Sequence, residues 1–105
     1  MKVQIFRQGD VLLTTVRHIP VDAKRLDQKE RIVLAHGEVT GHAHAIHDLD
    51  SVDVFVAADG TMYLSVRKAA ALKHEEHGTI MLQPGKYKRV IQREYSPMEI
   101  RNVAD

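Results

Sequence analysis

The chain contains no cysteine and no tryptophan, and only 5% of its 105 residues are aromatic. Without cysteine there can be no disulfides, thiolate nucleophiles, zinc knuckles or iron–sulfur ligation. Any transition-metal chemistry must therefore use imidazole and carboxylate groups. The 15 Lys and Arg residues nearly balance the 14 Asp and Glu residues, which argues against disorder and against a strongly basic nucleic-acid-binding arm.

Long hydrophobic runs are also missing. Arg7 and Asp10 interrupt the N-terminal segment before the apolar core of a signal peptide can form, and no window approaches the ~20 apolar residues of a membrane span. We therefore expect a cytoplasmic protein with no membrane partner. Because a length near 100 residues is common for one domain, we expect residues 1–105 to form a single domain.

Short apolar segments with the two-residue period of β-strands recur along the chain, separated by Gly, Pro and Asp. The spacing predicts an antiparallel β-sandwich or barrel of roughly eight or nine strands. We expect a hairpin turn at residues 58–60, a surface loop over residues 18–30 and a strand rather than a helix at residues 68–73. Ser96 as a cap, followed by Pro97, predicts a short C-terminal helix over residues 97–103.

Histidine is the unusual component, because six of the seven histidines lie between residues 36 and 77. His42 and His44 are two positions apart, so in a strand they project from the same face and can bind one metal ion. His74 and His77 form a second pair whose spacing permits chelation from a helical turn or a loop. Gly41 and Ala43 beside the first pair are small enough to leave room for a close approach.

Together the pairs predict a divalent transition-metal site, made either of four imidazoles or of three with a carboxylate from Glu38, Glu75 or Glu76. Either Glu75 or Glu76 could instead orient an imidazole from outside the ligand shell, and His36 is a further candidate supporting residue. Zinc or nickel is favoured, with iron, manganese and copper as alternatives. His47 and His18 are expected in turns or loops.

Three other interpretations use the same sequence. A histidine with a carboxylate partner could act as a general base without metal, although no nucleophile motif is present. A metal-free interaction module could use the His-rich loops as a subunit or partner interface. The basic stretch at residues 86–93 is typical of a solvated edge strand, which argues against nucleic acid. We expect a homo-oligomer, with a small molecule as candidate ligand, and whether the protein is an enzyme stays open.

Several segments of the chain also resemble a family of small uncharacterised bacterial and phage proteins. The segments are RQGDVLL (7–13), AHGEVTGHAH (35–44), HEEHG (74–78), PGKY (84–87) and QREYSP (92–97). The resemblance spans most of the chain and implies no particular activity.

A more distant resemblance is to cupins. His42 and His44 fit the His-x-His centre of the first cupin motif, but Gly37 is one residue too close to it and Asp48 stands where cupins have Glu. The second motif is half matched by Gly78 and Pro84, with no histidine after them. This resemblance implies a cupin-like architecture.

Overall fold

The computed structural model describes residues 3–37 and 41–92, and these residues fold almost entirely into β-strands. The strands are β1 (Ile5–Gln8), β2 (Val11–Val16), β3 (Lys24–Leu26), β4 (Ile32–His36), β5 (Ala43–Ile46), β6 (Val52–Val56), β7 (Met62–Val66), β8 (Ala70–Lys73), β9 (Ile80–Leu82) and β10 (Gly85–Ile91). A 3-10 helix at Leu49–Ser51 precedes β6. The predicted mainly β class is confirmed.

The strands form two antiparallel sheets. The first has six strands in the order β1-β2-β10-β7-β6-β3, and the second has four in the order β4-β5-β8-β9. Four of the eight neighbouring pairs are consecutive in the chain, as expected where short turns connect antiparallel strands. The result is the predicted sandwich-like arrangement of two sheets.

Both sheets contribute side chains to one hydrophobic core. Leu13 and Leu64 come from the first sheet, and Ile46 and Leu72 from the second, each at most 1% exposed. Burying a side chain of this size stabilises the fold by about 1.5–3 kcal/mol. Alternate residues of strands such as β2, β4 and β6 supply this core, so a two-residue period is visible in those segments of the sequence.

Strand β1 does not follow its apolar pattern. Ile5 is 66% exposed, whereas Phe6 turns inward and packs edge-on against Tyr87 with ring centroids 6.0 Å apart. Gln8 has the same parity as Phe6 and is only 2% exposed. A polar side chain therefore ends this strand on its buried face.

Four local predictions can be compared with the structure. The edge strand expected at residues 86–93 is wrong, because β10 lies inside the first sheet and pairs with both β2 and β7. The hairpin turn is confirmed, since Gly60 has φ +89° and its N–H donates to the carbonyl of Ala57 at 2.9 Å. The strand expected within residues 68–73 is confirmed as β8. The loop expected at residues 18–30 is wrong in part, because it contains β3, which pairs with β6. All three β3 residues are exposed, so no buried period announces this strand.

The helix predicted for residues 97–103 lies outside the described residues. No helix within residues 3–37 and 41–92 is long and apolar enough to cross a membrane.

Candidate metal centre

The two predicted histidine pairs meet in one pocket of about 310 Å³. The pocket lies where the inner face of β5 and β8 continues beyond the core residues Ile46 and Leu72, and the turn between β1 and β2 closes its other side. Its lining residues are Gly9, Asp10, Ala35, His36, Gly37, His42, His44, His74, Glu76 and His77.

Strand register explains why the pairs meet. Ala45 pairs with Lys73 and Ile46 with Leu72, so continuing this antiparallel register by one residue places His44 opposite His74. Residues in opposite positions project to the same face of a sheet. Because His42 has the same strand parity as His44, it projects toward the same pocket.

A bulge in β4 leaves space beside His44. The register between β4 and β5 shifts between Val33 and Ala35, and Ala35 becomes the partner of His44. Without the shift, the larger Leu34 would occupy that position. An extra residue in one strand redirects the side chains that follow it, and here it places a methyl group next to the imidazole.

His74 is the central ring of the cluster. Its centroid lies 4.2 Å from that of His44, 4.6 Å from that of His77 and 6.0 Å from that of His42. The rings of His44 and His77 are nearly parallel, with centroids 5.8 Å apart. All four predicted ligands therefore belong to one cluster.

Gln8 fixes the tautomer of the neutral His44 ring. Its Nε2 donates to the carbonyl oxygens of Leu72 and Gly78 at 2.9 and 2.8 Å, which orients the amide and leaves Oε1 at 2.9 Å from Nδ1 of His44. A carbonyl oxygen can only accept, so Nδ1 of His44 must carry the hydrogen and the lone pair of the neutral ring lies on Nε2. That tautomer can bind a metal through Nε2.

Glu76 makes opposite contacts with two histidines. Its Oε2 lies 2.9 Å from Nδ1 of His42, within ion-pair distance although the angles are outside hydrogen-bond geometry. A carboxylate oxygen facing a lone pair would be repelled, so the hydrogen belongs on Nδ1 of His42. In contrast, the backbone N–H of Glu76 donates to Nδ1 of His74 at 3.0 Å, which places the hydrogen of neutral His74 on Nε2.

Glu75 supports the strand rather than lining the pocket. Its Oε1 accepts a hydrogen bond from the backbone N–H of Ala43 at 2.9 Å, and this bond lowers the pKa of the Glu75 carboxyl group. Since that N–H belongs to the residue between His42 and His44, Glu75 ties the loop after β8 to the strand that carries the first pair.

Two glycines admit the rings, and they are not those expected from the sequence. A Cβ atom at Gly9 would lie 2.8 Å from Nε2 of His77, and one at Gly37 would lie 3.0 Å from Nε2 of His74. A Cβ atom at Gly41 would meet nothing within 4 Å, and Ala43 lies on the opposite face of β5. The space beside the rings is therefore provided by Gly9, in the turn between β1 and β2, and by Gly37, directly after β4.

The remaining predicted residues divide between the pocket and its surroundings. His36 lines the pocket at the end of β4, where it is exposed, and its supporting role stays a prediction. Glu38 lies outside the described residues. His47 and His18 are exposed and do not line this pocket. Sequence reasoning missed Gln8, Gly9 and Asp10, which belong to β1 and the turn after it.

A family model described as "Domain of unknown function (DUF8820)" matches residues 7–92, which is most of the chain. The chain belongs to the DUF8820 family. No curated protein and no solved structure matches it, and the resemblance to cupins is not confirmed. The DUF8820 match includes Gln8, both glycines that admit the rings and all four clustered histidines.

The DUF8820 pocket thus brings together imidazoles with two different hydrogen-bonding arrangements. His42 and His44 have Nδ1 next to an oxygen, whereas His74 has Nδ1 next to an N–H group. Among the described residues, no group of three or more metal-binding side chains already converges on one point. In the neutral rings the hydrogen is therefore on Nδ1 of His42 and His44 and on Nε2 of His74.

Proposed function

We propose that the histidine pocket binds a divalent transition-metal ion. The observation that carries the proposal is the hydrogen bond from Nδ1 of His44 to Gln8 inside a cluster of four imidazoles. Metal-binding histidines commonly donate their other N–H to a carbonyl or carboxylate oxygen. Gln8 provides such an acceptor for His44, and the Glu76 carboxylate lies within ion-pair distance of Nδ1 of His42.

The spacing of the rings supports a shared ion. With metal–nitrogen distances of about 2.0–2.1 Å, imidazoles around one tetrahedral ion have their centroids roughly 5 Å apart. The measured separations of 4.2 to 6.0 Å bracket that value. Because the described side chains do not already converge, binding requires small rotations of the rings toward one point, and such rotations about side-chain bonds are cheap compared with backbone movement.

The carboxylates of the pocket would compensate the charge of the ion. Asp10 and Glu76 both line it, and two carboxylates offset the charge of a divalent cation. A donor set of imidazole nitrogens without thiolate suits zinc or nickel, with copper, iron and manganese as alternatives. A pocket of about 310 Å³ around the cluster leaves room for a small molecule, which favours metal-dependent chemistry over storage of a fully enclosed ion.

Elemental analysis of purified protein tests the proposal. Wild-type protein loaded with Zn²⁺ or Ni²⁺ and then desalted should retain about one ion per chain, and the double variant His42→Ala/His44→Ala should retain none. The matched control is His18→Ala/His47→Ala, which removes the same number of imidazoles from exposed positions outside the pocket. That control should keep its metal.

Two outcomes would contradict the proposal. Equal metal content in both double variants would show that the ion binds elsewhere. No metal in the wild-type protein would favour the alternative function, in which the His-rich loops form an interface between subunits; the size of the wild-type assembly in solution would then be compared with that of the His42→Ala/His44→Ala variant.

A further inference from the structure

We infer that His74 is a hydrogen-bond donor beside the metal rather than a ligand, and that the open coordination position accepts a small carboxylate. This inference rests on the proposed metal site and assigns different roles to its four histidines. His42, His44 and His77 would hold the ion, while Nε2–H of His74 would bind an oxygen of the incoming molecule.

The hydrogen bonds separate His74 from the other histidines. Nδ1 of His74 accepts the N–H of Glu76 at 3.0 Å, so this nitrogen is engaged and Nε2 carries the hydrogen. To bind a metal through Nε2, the ring would have to move its hydrogen to Nδ1 and give up that bond. In His44 the hydrogen is instead held on Nδ1, where Gln8 accepts it.

The position of His74 suits a donor. Its ring neighbours those of the other three histidines, and its Nε2 would lie 3.0 Å from a Cβ atom at Gly37, another residue of the pocket wall. Within residues 3–37 and 41–92, no protein acceptor is paired with this nitrogen. A ligand oxygen in the pocket would supply the missing acceptor.

Three imidazole ligands define the class of molecule. A zinc ion with three protein ligands keeps a fourth position for water or substrate, and a hydrogen-bond donor next to that position favours a ligand oxygen that bears negative charge. The divalent ion offsets the charges of Asp10 and Glu76, so a carboxylate can replace the bound water. The pocket of about 310 Å³ restricts this ligand to a small one.

Cobalt-loaded protein allows metal binding and carboxylate binding to be measured separately. Co²⁺ affinity is obtained from the visible absorption of the bound ion, and acetate is then added as the probe carboxylate. Loss of a residue that only supports a ligand weakens metal binding by up to about 100-fold. If His44 and His77 are ligands, His44→Ala and His77→Ala should therefore weaken Co²⁺ binding by at least about 100-fold. His74→Ala should weaken it by no more than about tenfold.

Acetate affinity, in contrast to Co²⁺ affinity, should depend strongly on His74. His74→Ala should bind acetate roughly tenfold more weakly than the wild type, as expected when a hydrogen bond to a charged group is lost. His74→Gln, whose amide can donate from a similar distance, should restore acetate binding and also shows whether the position tolerates substitution.

The outcomes distinguish this inference from the proposed function. If His74→Ala and His74→Gln lose Co²⁺ as severely as His44→Ala, His74 is a ligand and the inference is wrong while the metal site stands. Wild-type affinity for acetate in His74→Ala would also overturn it. If wild-type protein binds no Co²⁺, the metal site itself is wrong.

Discussion

Gln8 connects the stability of the fold with the chemistry of the pocket. It is 2% exposed and makes three hydrogen bonds, to Nδ1 of His44 and to the carbonyls of Leu72 and Gly78. In Gln8→Leu the buried Nδ1–H of His44 loses this acceptor and the buried Leu72 carbonyl loses this donor, whereas the Gly78 contact is only partly buried and its carbonyl can turn to water.

The expected cost follows from the two fully buried groups. A buried polar group without a partner costs about 1–3 kcal/mol, so Gln8→Leu should lower the free energy of unfolding by about 2–6 kcal/mol. This is a large part of the ~5–15 kcal/mol that stabilises a typical domain. Urea unfolding of metal-free protein measures it. The control Gln83→Leu changes an exposed glutamine and should shift the free energy by no more than about 0.5 kcal/mol.

A second variant separates stability from metal binding. Glutamate at position 8 can still accept from Nδ1 of His44 but cannot donate to either carbonyl. Gln8→Glu should therefore be destabilised while keeping Co²⁺ affinity close to that of the wild type, whereas Gln8→Leu should bind Co²⁺ about 10–100-fold more weakly. Wild-type Co²⁺ affinity in Gln8→Leu, or a stability equal to that of Gln83→Leu, would refute the role given to Gln8.

Three further predictions concern other parts of the chain. Gly9→Ala should reduce metal affinity, because its Cβ would displace a ligand imidazole; Gly60→Ala, which shares a positive φ but has open space around it, should leave affinity unchanged, and equal affinities in the two variants would contradict this. Leu64→Ala, in the fully buried core, should cost about 2–5 kcal/mol in urea unfolding, and a cost below about 1 kcal/mol would argue against that packing. The Arg67 guanidinium holds the pKa of Asp53 below its ordinary value, so Asp53→Asn should be less stable than wild type by about 1 kcal/mol or less at pH 7. This difference should disappear as the pH falls below the lowered pKa, because the carboxylate is then protonated; a difference unchanged down to pH 2 would contradict the ion pair.

The fold could be predicted as far as burial has a local signature. A strand that buries alternate residues, such as β6, can be predicted because the period of its hydrophobic side chains reports the buried face. Strand β3 buries none of its residues, and it is held by backbone pairing with β6 and by contacts such as that of Arg25 with Asp53. Because β3 is held by pairing with β6 rather than by burial of its own side chains, residues 18–30 show no hydrophobic period.

The histidine cluster could be predicted from the sequence, but the residues that surround and orient its rings could not. His42 and His44 share a face because residues two apart in a strand have the same parity. His74 and His77 are only three residues apart, so they too can be recognised as a pair from the sequence. Gln8, in contrast, is 64 and 70 residues from Leu72 and Gly78, so only the packing of the two sheets reveals its role. Gly41 and Ala43 were expected to make room for the rings, but Gly9 does so for His77. Gly9 and His77 are distant in the sequence, so this contact also cannot be predicted from local spacing.

The most direct test of the central claim is a crystal structure of the metal-loaded protein, with anomalous scattering measured at the absorption edge of the metal. The claim predicts one anomalous peak per chain in the pocket, with Nε2 of both His42 and His44 about 2.0–2.2 Å from it. A peak bound by other residues, or no peak in crystals of protein incubated with the metal, would contradict it.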